Sequence, residues 1–360
     1  PASGPSLPRA PCVRPHAHAA GARSPPDILT PVLRRLRFQT AGESHGPGLT
    51  AILSGLPAGL RVDLELLRSD LARRQHGYGR GGRMKIERDE AEIRGGERGG
   101  ETLGSPVALW IENRDHKTWL ALMSPTGELD SAAVEKRRVK TPRPGHADLA
   151  GGLKYLRRDL RDILERASAR ETAARVAAGA FAKMGLPGGG IELRRGVRSL
   201  GPVAAQDPGP TWKDLLLVNE TSPLRAIRRE LEPEMVAQVD MARRAGDTLG
   251  GAVTVIARGV PPGLGSHVHW EDKLDGRIAH AMMSVPAVKA VELGCGIAAS
   301  AGLGSHAHDA IGRNAAGGWS RPTNRAGGLE GGITNGEDVV VTLYKKPIAT
   351  LRRGLPSVDL

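Results

Sequence analysis

The sequence predicts an α+β chain. Helical and strand patterns come in blocks rather than as strict βαβ repeats, and no linker convincingly divides the part expected to be ordered. With 39% hydrophobic residues but only 3% aromatics, the core must be built from Leu, Ile, Val and Ala. The 360 residues are enough for one large domain or two ordinary ones.

Order is expected from Leu36 onward. Leu49 to Leu56 reads as a strand. Asp63 is placed as an N-cap, with Glu65 in the first turn and Leu64, Leu67 and Leu71 on one face; that helix ends at the glycines of Gly77 to Gly82. Met84 to Arg88 and Pro106 to Glu112 read as strands. Leu153 to Met184 is the clearest helical stretch, with Leu153, Leu156, Leu160, Ile163 and Leu164 on one stripe, Asp148 placed to cap it and Gly185 to end it. Pro233 starts a helix that stops at Gly246, and Ala252 to Ala257 and Val339 to Tyr344 read as strands. Residues 1–35 are different. Their prolines break any helix or strand and apolar periodicity is missing, so they are expected to be a disordered, Pro-rich extension to a domain spanning 36–360. The extension is poor in acids and compatible with a transit peptide, although a misassigned start explains it better.

Composition excludes several classes. No apolar stretch approaches the ~18–20 residues of a membrane span. Two cysteines, Cys12 and Cys295, make no disulfide framework, so a reducing cytoplasm is the expected compartment. The formal net charge is +12, and Arg greatly outnumbers Lys. GC-rich coding accounts for the bulk count; it does not account for arginines clustered with glycine and histidine, which suit phosphate or carboxylate recognition. The echo between Gly263-Leu-Gly-Ser-His-Val-His269 and Gly302-Leu-Gly-Ser-His-Ala-His308 lacks the acidic or cysteine partners of a zinc site apart from Asp309. No metal is expected.

Three motifs point to an anion pocket. Gly77-Tyr-Gly-Arg-Gly-Gly82 matches G-x-G-x-x-G, but a helix precedes it and a strand is expected after it, the reverse of a dinucleotide fold. What remains is a glycine loop carrying Arg73, Arg74, Arg80 and Arg83, or else a solvated turn. In Thr40-Ala-Gly-Glu-Ser-His-Gly-Pro47 the adjacent Ser44 and His45 point apart and form no hydrolase pair. Ser44 is read as a hydrogen-bond donor, and His45 as a proton-transfer group or ligand contact. Pro142-Arg-Pro-Gly-His-Ala-Asp148 sets Arg143 and His146 at a helix N-terminus. Arg166 and Arg170 fall at i,i+4 on one helical face, where the alternative is a salt-bridged solvent face with Glu165 and Glu171.

From about Arg37 to Leu360 the chain closely resembles the chorismate synthases. The matching strings include TAGESHGPGLTAI (40–52), RRQHGYGRGGRMKIE (73–87), RPGHADLAGGLKY (143–155), LERASARETAARVA (164–177), GDTLGG (246–251), GGLEGGITNG (327–336) and KKPIATL (345–351). The resemblance implies a β-α-β sandwich of two antiparallel sheets enclosing helices, assembled as a homotetramer. It also implies conversion of 5-enolpyruvylshikimate 3-phosphate to chorismate with loss of phosphate, requiring reduced FMN without net redox, and NADPH use in bifunctional members.

Residue by residue, the resemblance implies His45 and His146 as proton-transfer groups, and Ser44, Arg74, Arg80, Arg83, Arg143 and Arg170 as substrate contacts. Flavin contacts carry over to Arg166, Ala167, Ser168, Pro286, Ala287, Gly331, Lys346, Pro347, Ile348, Ala349 and Thr350; Arg74 and Arg80 also match NADPH-associated positions. The chain departs from the family in having Pro286 for a usual Asn and His76 for a usual Gly, and in stopping at Leu360 before an Arg-Ser-Asp segment. That last departure raises the expectation of a weak or inactive fragment that still binds FMN and substrate. A basic nucleic-acid-binding protein is the third reading; it is disfavoured because Tyr78 is the only aromatic in the arginine loop.

Overall fold

The structure, a computed structural model, describes residues 36–81, 86–205, 209–315 and 317–360. The extension at 1–35, Arg83 and the first part of the strand expected at Met84–Arg88 lie outside the described residues. Ile86 to Arg88 form turn and coil, not strand.

Helices and strands are mixed, as the block pattern predicts. One antiparallel sheet contains β1 (Arg37–Ala41), β2 (Gly48–Ser54), β3 (Ala91–Gly95) and β4 (Val107–Glu112), in the order β1-β2-β4-β3. Alternation puts Leu49, Ala51 and Leu53 of β2 and Val107, Leu109 and Ile111 of β4 in the core. The loop between β1 and β2 carries Ser44 and His45. It needs glycine at its first bend: Gly42 has φ +104, and a Cβ there would stand 2.3 Å from the Gly48 carbonyl oxygen.

The second antiparallel sheet contains β5 (Glu192–Leu200), β6 (Val203–Ala204), β7 (Gly251–Arg258), β8 (Val288–Leu293) and β9 (Val339–Lys345), in the order β8-β9-β7-β5-β6. Thr254 and Thr342 are register partners in β7 and β9, and their buried hydroxyls bond at 2.9 Å.

Helix α1 (Leu64–Gln75) begins as read: Asp63 Oδ1 accepts from the Leu66 N–H at 2.9 Å. Leu67 and Leu71 are buried, whereas Leu64 is exposed. His76 takes the C-cap at φ −77, so this position does not require the family's glycine.

The stretch expected as one helix from Leu153 to Met184 is broken into α2 (Asp148–Tyr155), α3 (Arg161–Ala167), a 3₁₀ turn (Ala169–Glu171) and α4 (Thr172–Met184). Leu156 enters the left-handed region at φ 55 and ends α2. The chain then reverses so that α3 packs on two glycines; a Cβ on Gly151 or Gly152 would come within 2.5 Å of Ile163 or Leu160, respectively. The expected stripe dissolves accordingly, with Leu160 fully buried but Leu153 and Leu156 67% and 89% exposed. Nor is Asp148 the cap. Ala147 holds that position, and the Asp148 carboxylate is turned into the protein. Gly185 does end α4. Ala173, Ala174, Ala177 and Ala180 let α4 approach the first sheet closely, with Phe181 fully buried. Each large apolar side chain buried in this layer contributes roughly 1.5–3 kcal/mol.

Helix α5 (Glu232–Ala245) starts one residue before Pro233 and stops at Gly246, where φ is 72. Helix α6 (Leu274–Met283) packs against β8. Among the described residues, no helix is long and apolar enough to cross a membrane.

Candidate active site

The β1–β2 loop is tied to α3. The Ser44 N–H donates to the Glu165 carbonyl at 3.0 Å, and the His45 N–H to Glu165 Oε2 at 2.8 Å. His45 Nδ1 lies 2.9 Å from both carboxylate oxygens of Glu165. The imidazole stacks on Trp119, with centroids 4.0 Å apart, and Nε2 lies 3.9 Å from Asp115. Burial opposes ionisation of Glu165, but the His45 hydrogen bonds, and then Arg161 at 3.2 Å, outweigh it and hold the carboxyl below its usual range. The Ser168 hydroxyl donates to Ser44 Oγ at 3.0 Å, which joins the start of the 3₁₀ turn to the same loop.

Arg166 and Arg170 do not share a face. Helix α3 ends between them, so Arg166 reaches the Thr40 carbonyl at 2.7 Å while Arg170 turns inward. Arg170 is 3% exposed and donates to Asn113 Oδ1 at 2.8 Å and to Asp89. Arg74 meets the other oxygen of Asp89 at 2.7 Å. The two arginines are thus brought together by a buried carboxylate. Glu165 and Glu171, expected as their partners, instead serve His45 and Arg161, and Thr40 and Arg175, respectively.

A second cluster forms where the Pro142–Asp148 loop meets the segment after β9. His146 Nδ1 lies 2.5 Å from Asp148 Oδ1, and Arg143 Nε donates to Asp148 Oδ2 at 2.8 Å. Arg143 also donates to the Thr350 hydroxyl at 2.6 Å, and the Lys346 ammonium donates to the Gly145 carbonyl. Burial, then the Arg143 charge, push the His146 imidazole below its usual pKa against the pull of Asp148. Burial works against Asp148 ionising, but the hydrogen bonds from Arg143 outweigh it and keep the carboxyl below its usual range.

Pro286 and Ala287 occupy the centre of a turn closed by Val288 N–H to the Val285 carbonyl at 3.1 Å. Proline suits the second position of such a turn, and Ala287 takes φ 70, a position that favours glycine. The Ala287 carbonyl accepts from Lys346 N–H at 3.0 Å. Gly331, with φ 60, lies in the tight connection between the short strands Leu329–Glu330 and Ile333–Thr334, next to the contact between the Gly332 carbonyl and Leu274 N–H at the start of α6. Ala167 closes α3.

Arg80 lines a cavity of about 470 Å³ with Tyr78, Thr248, Ile348, Thr350 and Arg352. Through Thr350 this cavity borders the His146 cluster. Burial lowers the pKa of Arg80, with Arg74 and Arg225 adding to the effect. Burial likewise lowers Lys345, helped by Arg80, and Arg225, helped by Arg73. Positive charges therefore crowd one another around the glycine loop, Arg225 half-buried and Arg80 and Lys345 more exposed. Such a donor set suits polyanions, whose binding relieves the repulsion. The structure therefore joins Ser44, His45 and Ser168 in one cluster, Arg143, His146, Lys346 and Thr350 in another, and Arg74 with Arg170 in a third, while Arg80 adjoins the second. Sequence reasoning did not find Glu165, Asp89, Trp119, Arg225 or Lys345 as functional neighbours. Only the first of these stood inside a motif where its pairing with a histidine was open to guessing.

Paired histidine–carboxylate groups beside buried arginines define an enzyme that handles a small, highly anionic substrate. The family model for chorismate synthase matches residues 36–360. The chain is 57% identical over 325 residues to the chorismate synthase of Moorella thermoacetica, covering 90% of this chain and 83% of that protein. It is 54% identical over 329 residues to that of Symbiobacterium thermophilum, with 90% and 84% covered. A crystal structure of chorismate synthase superposes with a TM-score of 0.73 at 45% identity, covering 87% of this chain and 85% of the other. The chain belongs to the chorismate synthase family. It is a lyase of aromatic biosynthesis that converts 5-enolpyruvylshikimate 3-phosphate to chorismate and phosphate. Neither the fragment reading nor the nucleic-acid reading is favoured by these matches.

Proposed function

We propose that this chemistry is carried by His45 and His146 as proton-transfer groups, with Ser44, Arg74, Arg80, Arg83, Arg143 and Arg170 as substrate-binding residues. The observation that carries the reading is the crowd of partly desolvated cations at the glycine loop, Arg74 and Arg225 half-buried beside the more exposed Arg80 and Lys345, which suits a ligand bearing phosphate and carboxylates. His146 delivers a proton to the departing phosphate. Its neighbour Arg143, 3.3 Å from Nε2, meets the same anion, and Asp148, 2.5 Å from Nδ1, orients the ring. Arg170, behind Asp89, acts through the position it gives Arg74 as well as through its own charge.

Reduced FMN would be held by Arg166, Ala167 and Ser168, by Pro286 and Ala287, by Gly331, and by Lys346, Pro347, Ile348, Ala349 and Thr350, with the Lys346 ammonium as the cation available to its phosphate. When bound, it supplies the electron-rich partner that elimination across an unactivated C–H bond requires. The turn at Pro286–Ala287 offers backbone groups where the family's Asn would offer a side chain. NADPH is proposed at Arg74 and Arg80.

The domain spans 36–360, with 1–35 as an extension. A β-α-β sandwich is supported by α4, which packs on the first sheet by its alanines while Val176, Gly179 and Ala182 line a cavity with Leu193 of β5. A cytoplasmic homotetramer accords with the exposed Leu153, Leu156, Trp270 and Trp319, which assembly would cover.

The test is anaerobic mixing of protein, reduced FMN and 5-enolpyruvylshikimate 3-phosphate, following chorismate absorbance and released phosphate. His146→Ala is expected to lower kcat on the order of 10²-fold or more with flavin affinity little changed. Unchanged turnover removes the role given to His146.

A further inference from the structure

We infer that Glu165 is a positioning residue that keeps a proton on His45 Nδ1 and so makes Nε2 the nitrogen that exchanges protons in the active site. The inference rests on the reading of His45 as a proton-transfer group and assigns the side chain that sets which face of the ring does the work.

The argument begins with the inventory of hydrogens. An ionised carboxylate has none to give, so the contact between Nδ1 and Glu165 at 2.9 Å requires the imidazole to be the donor. Glu165 is suited to stay ionised. Its side chain is 1% exposed, Arg161 lies 3.2 Å away, and its carboxyl is held below the usual range. The carboxylate cannot readily turn from the ring, because Oε2 also accepts the His45 backbone N–H at 2.8 Å and the Glu165 carbonyl accepts the Ser44 N–H at 3.0 Å. Three separate oxygens of Glu165 therefore hold two adjacent loop residues, Ser44 and His45.

The remaining surroundings fix the ring plane rather than the proton. Trp119 stacks on the imidazole at 4.0 Å, and Arg137 and Arg161 lie over the indole at 4.4 and 5.2 Å. His116 Nδ1 lies 2.8 Å from the His45 carbonyl. Asp115, at 3.9 Å, is a charged group on the Nε2 side among the described residues. With Nδ1 committed to Glu165, both neutral and protonated forms of His45 exchange protons through Nε2. Loss of the carboxylate charge removes the preference between the two neutral tautomers, and the wrong one presents a hydrogen where a lone pair is needed.

The test uses Glu165→Gln in the full chain with reduced FMN. This substitution keeps size and hydrogen-bonding capacity but removes the charge. The expected result is a fall in kcat of roughly 10- to 100-fold, a part of the ~10²–10⁴ that a positioned acid or base contributes, with KM for substrate changing less than about 3-fold. In a His45→Ala background the same change produces no further fall, because Glu165 acts through that ring. Nitrogen-15 shifts of labelled histidine supply the readout that a merely structural role leaves unmoved: Nδ1 carries the proton in the unsubstituted protein, and the variant shows a mixture of tautomers. A kcat within about twofold of the parent, an equal fall in the His45→Ala background, or a proton found on Nε2 of neutral His45 overturns the inference. If Glu165→Gln fails to fold, the shifts of the unsubstituted protein decide alone. Failure of the underlying reading is seen separately, as full turnover by His45→Ala.

Discussion

Replacing Arg170 with Met separates an architectural guanidinium from a substrate ligand. Arg170 is 3% exposed and bonds Asn113 Oδ1 at 2.8 Å, the Glu112 carbonyl at 3.3 Å and Asp89, with Glu87 3.7 Å away. Met matches its length but offers no donor. Asn113, 1% exposed, would keep an acceptor with no replacement donor, which costs about 1–3 kcal/mol. Removing one partner from a buried pair costs about 3–5 kcal/mol, but Asp89 keeps Arg74 at 2.7 Å, so roughly half of that applies. The sum is about 2.5–5.5 kcal/mol. At ~2–4 °C per kcal/mol, thermal unfolding followed by circular dichroism should show a midpoint ~5–22 °C lower. Substrate affinity should fall as well, because Arg74 loses the companion that shares its carboxylate. A midpoint within ~2 °C of the parent, together with a large rise in KM, would refute the reasoning. It would mean that the guanidinium serves substrate alone and the buried network carries no stability.

Two other perturbations test neighbouring parts of the site. Asp148 raises the pKa of His146 against burial and Arg143, so Asp148→Asn should lower it further; if His146 acts as the acid, the alkaline limb of kcat/KM moves to lower pH, and a limb that moves up or stays in place contradicts the assignment. Gly42→Ala, at φ +104 with its Cβ 2.3 Å from the Gly48 carbonyl oxygen, should cost more than about 2 kcal/mol and loosen the His45 loop, measured by denaturant unfolding and by KM; a neutral result would show that the bend relaxes freely.

Local signals were legible where one residue suffices to set the backbone. The Asp63 cap, the Gly246 stop, the Gly185 stop and the alternating apolar strands β2, β4 and β7 stand where pattern and turn chemistry place them. β5 was not legible because its sequence, ELRRGVRSL, carries arginines where a half-buried strand ordinarily carries apolar residues; Arg198 is satisfied by Glu292 from β8 at 3.2 Å, a partner nearly a hundred positions away. The helix expected from Leu153 to Met184 failed for the opposite reason. Its apolar spacing is continuous, and only the packing of α3 onto Gly151 and Gly152 reveals that the chain turns back on itself.

By itself, the sequence determined the family, the chemistry and the residue types that serve it, because glycine, arginine and histidine in those strings have few other uses together. Tertiary structure decided which groups touch. Whether Arg170 faces a ligand or Asp89, and whether Glu165 reaches His45, depend on elements 81 and 120 residues apart coming within 3 Å of one another; whether Asp148 caps a helix or orients His146, two residues before it, depends on the carboxylate being turned into the protein. The physical reason is that a charged side chain leaving water must find its partner in space, and spacing along the chain sets that partner only within a turn or two of helix or strand.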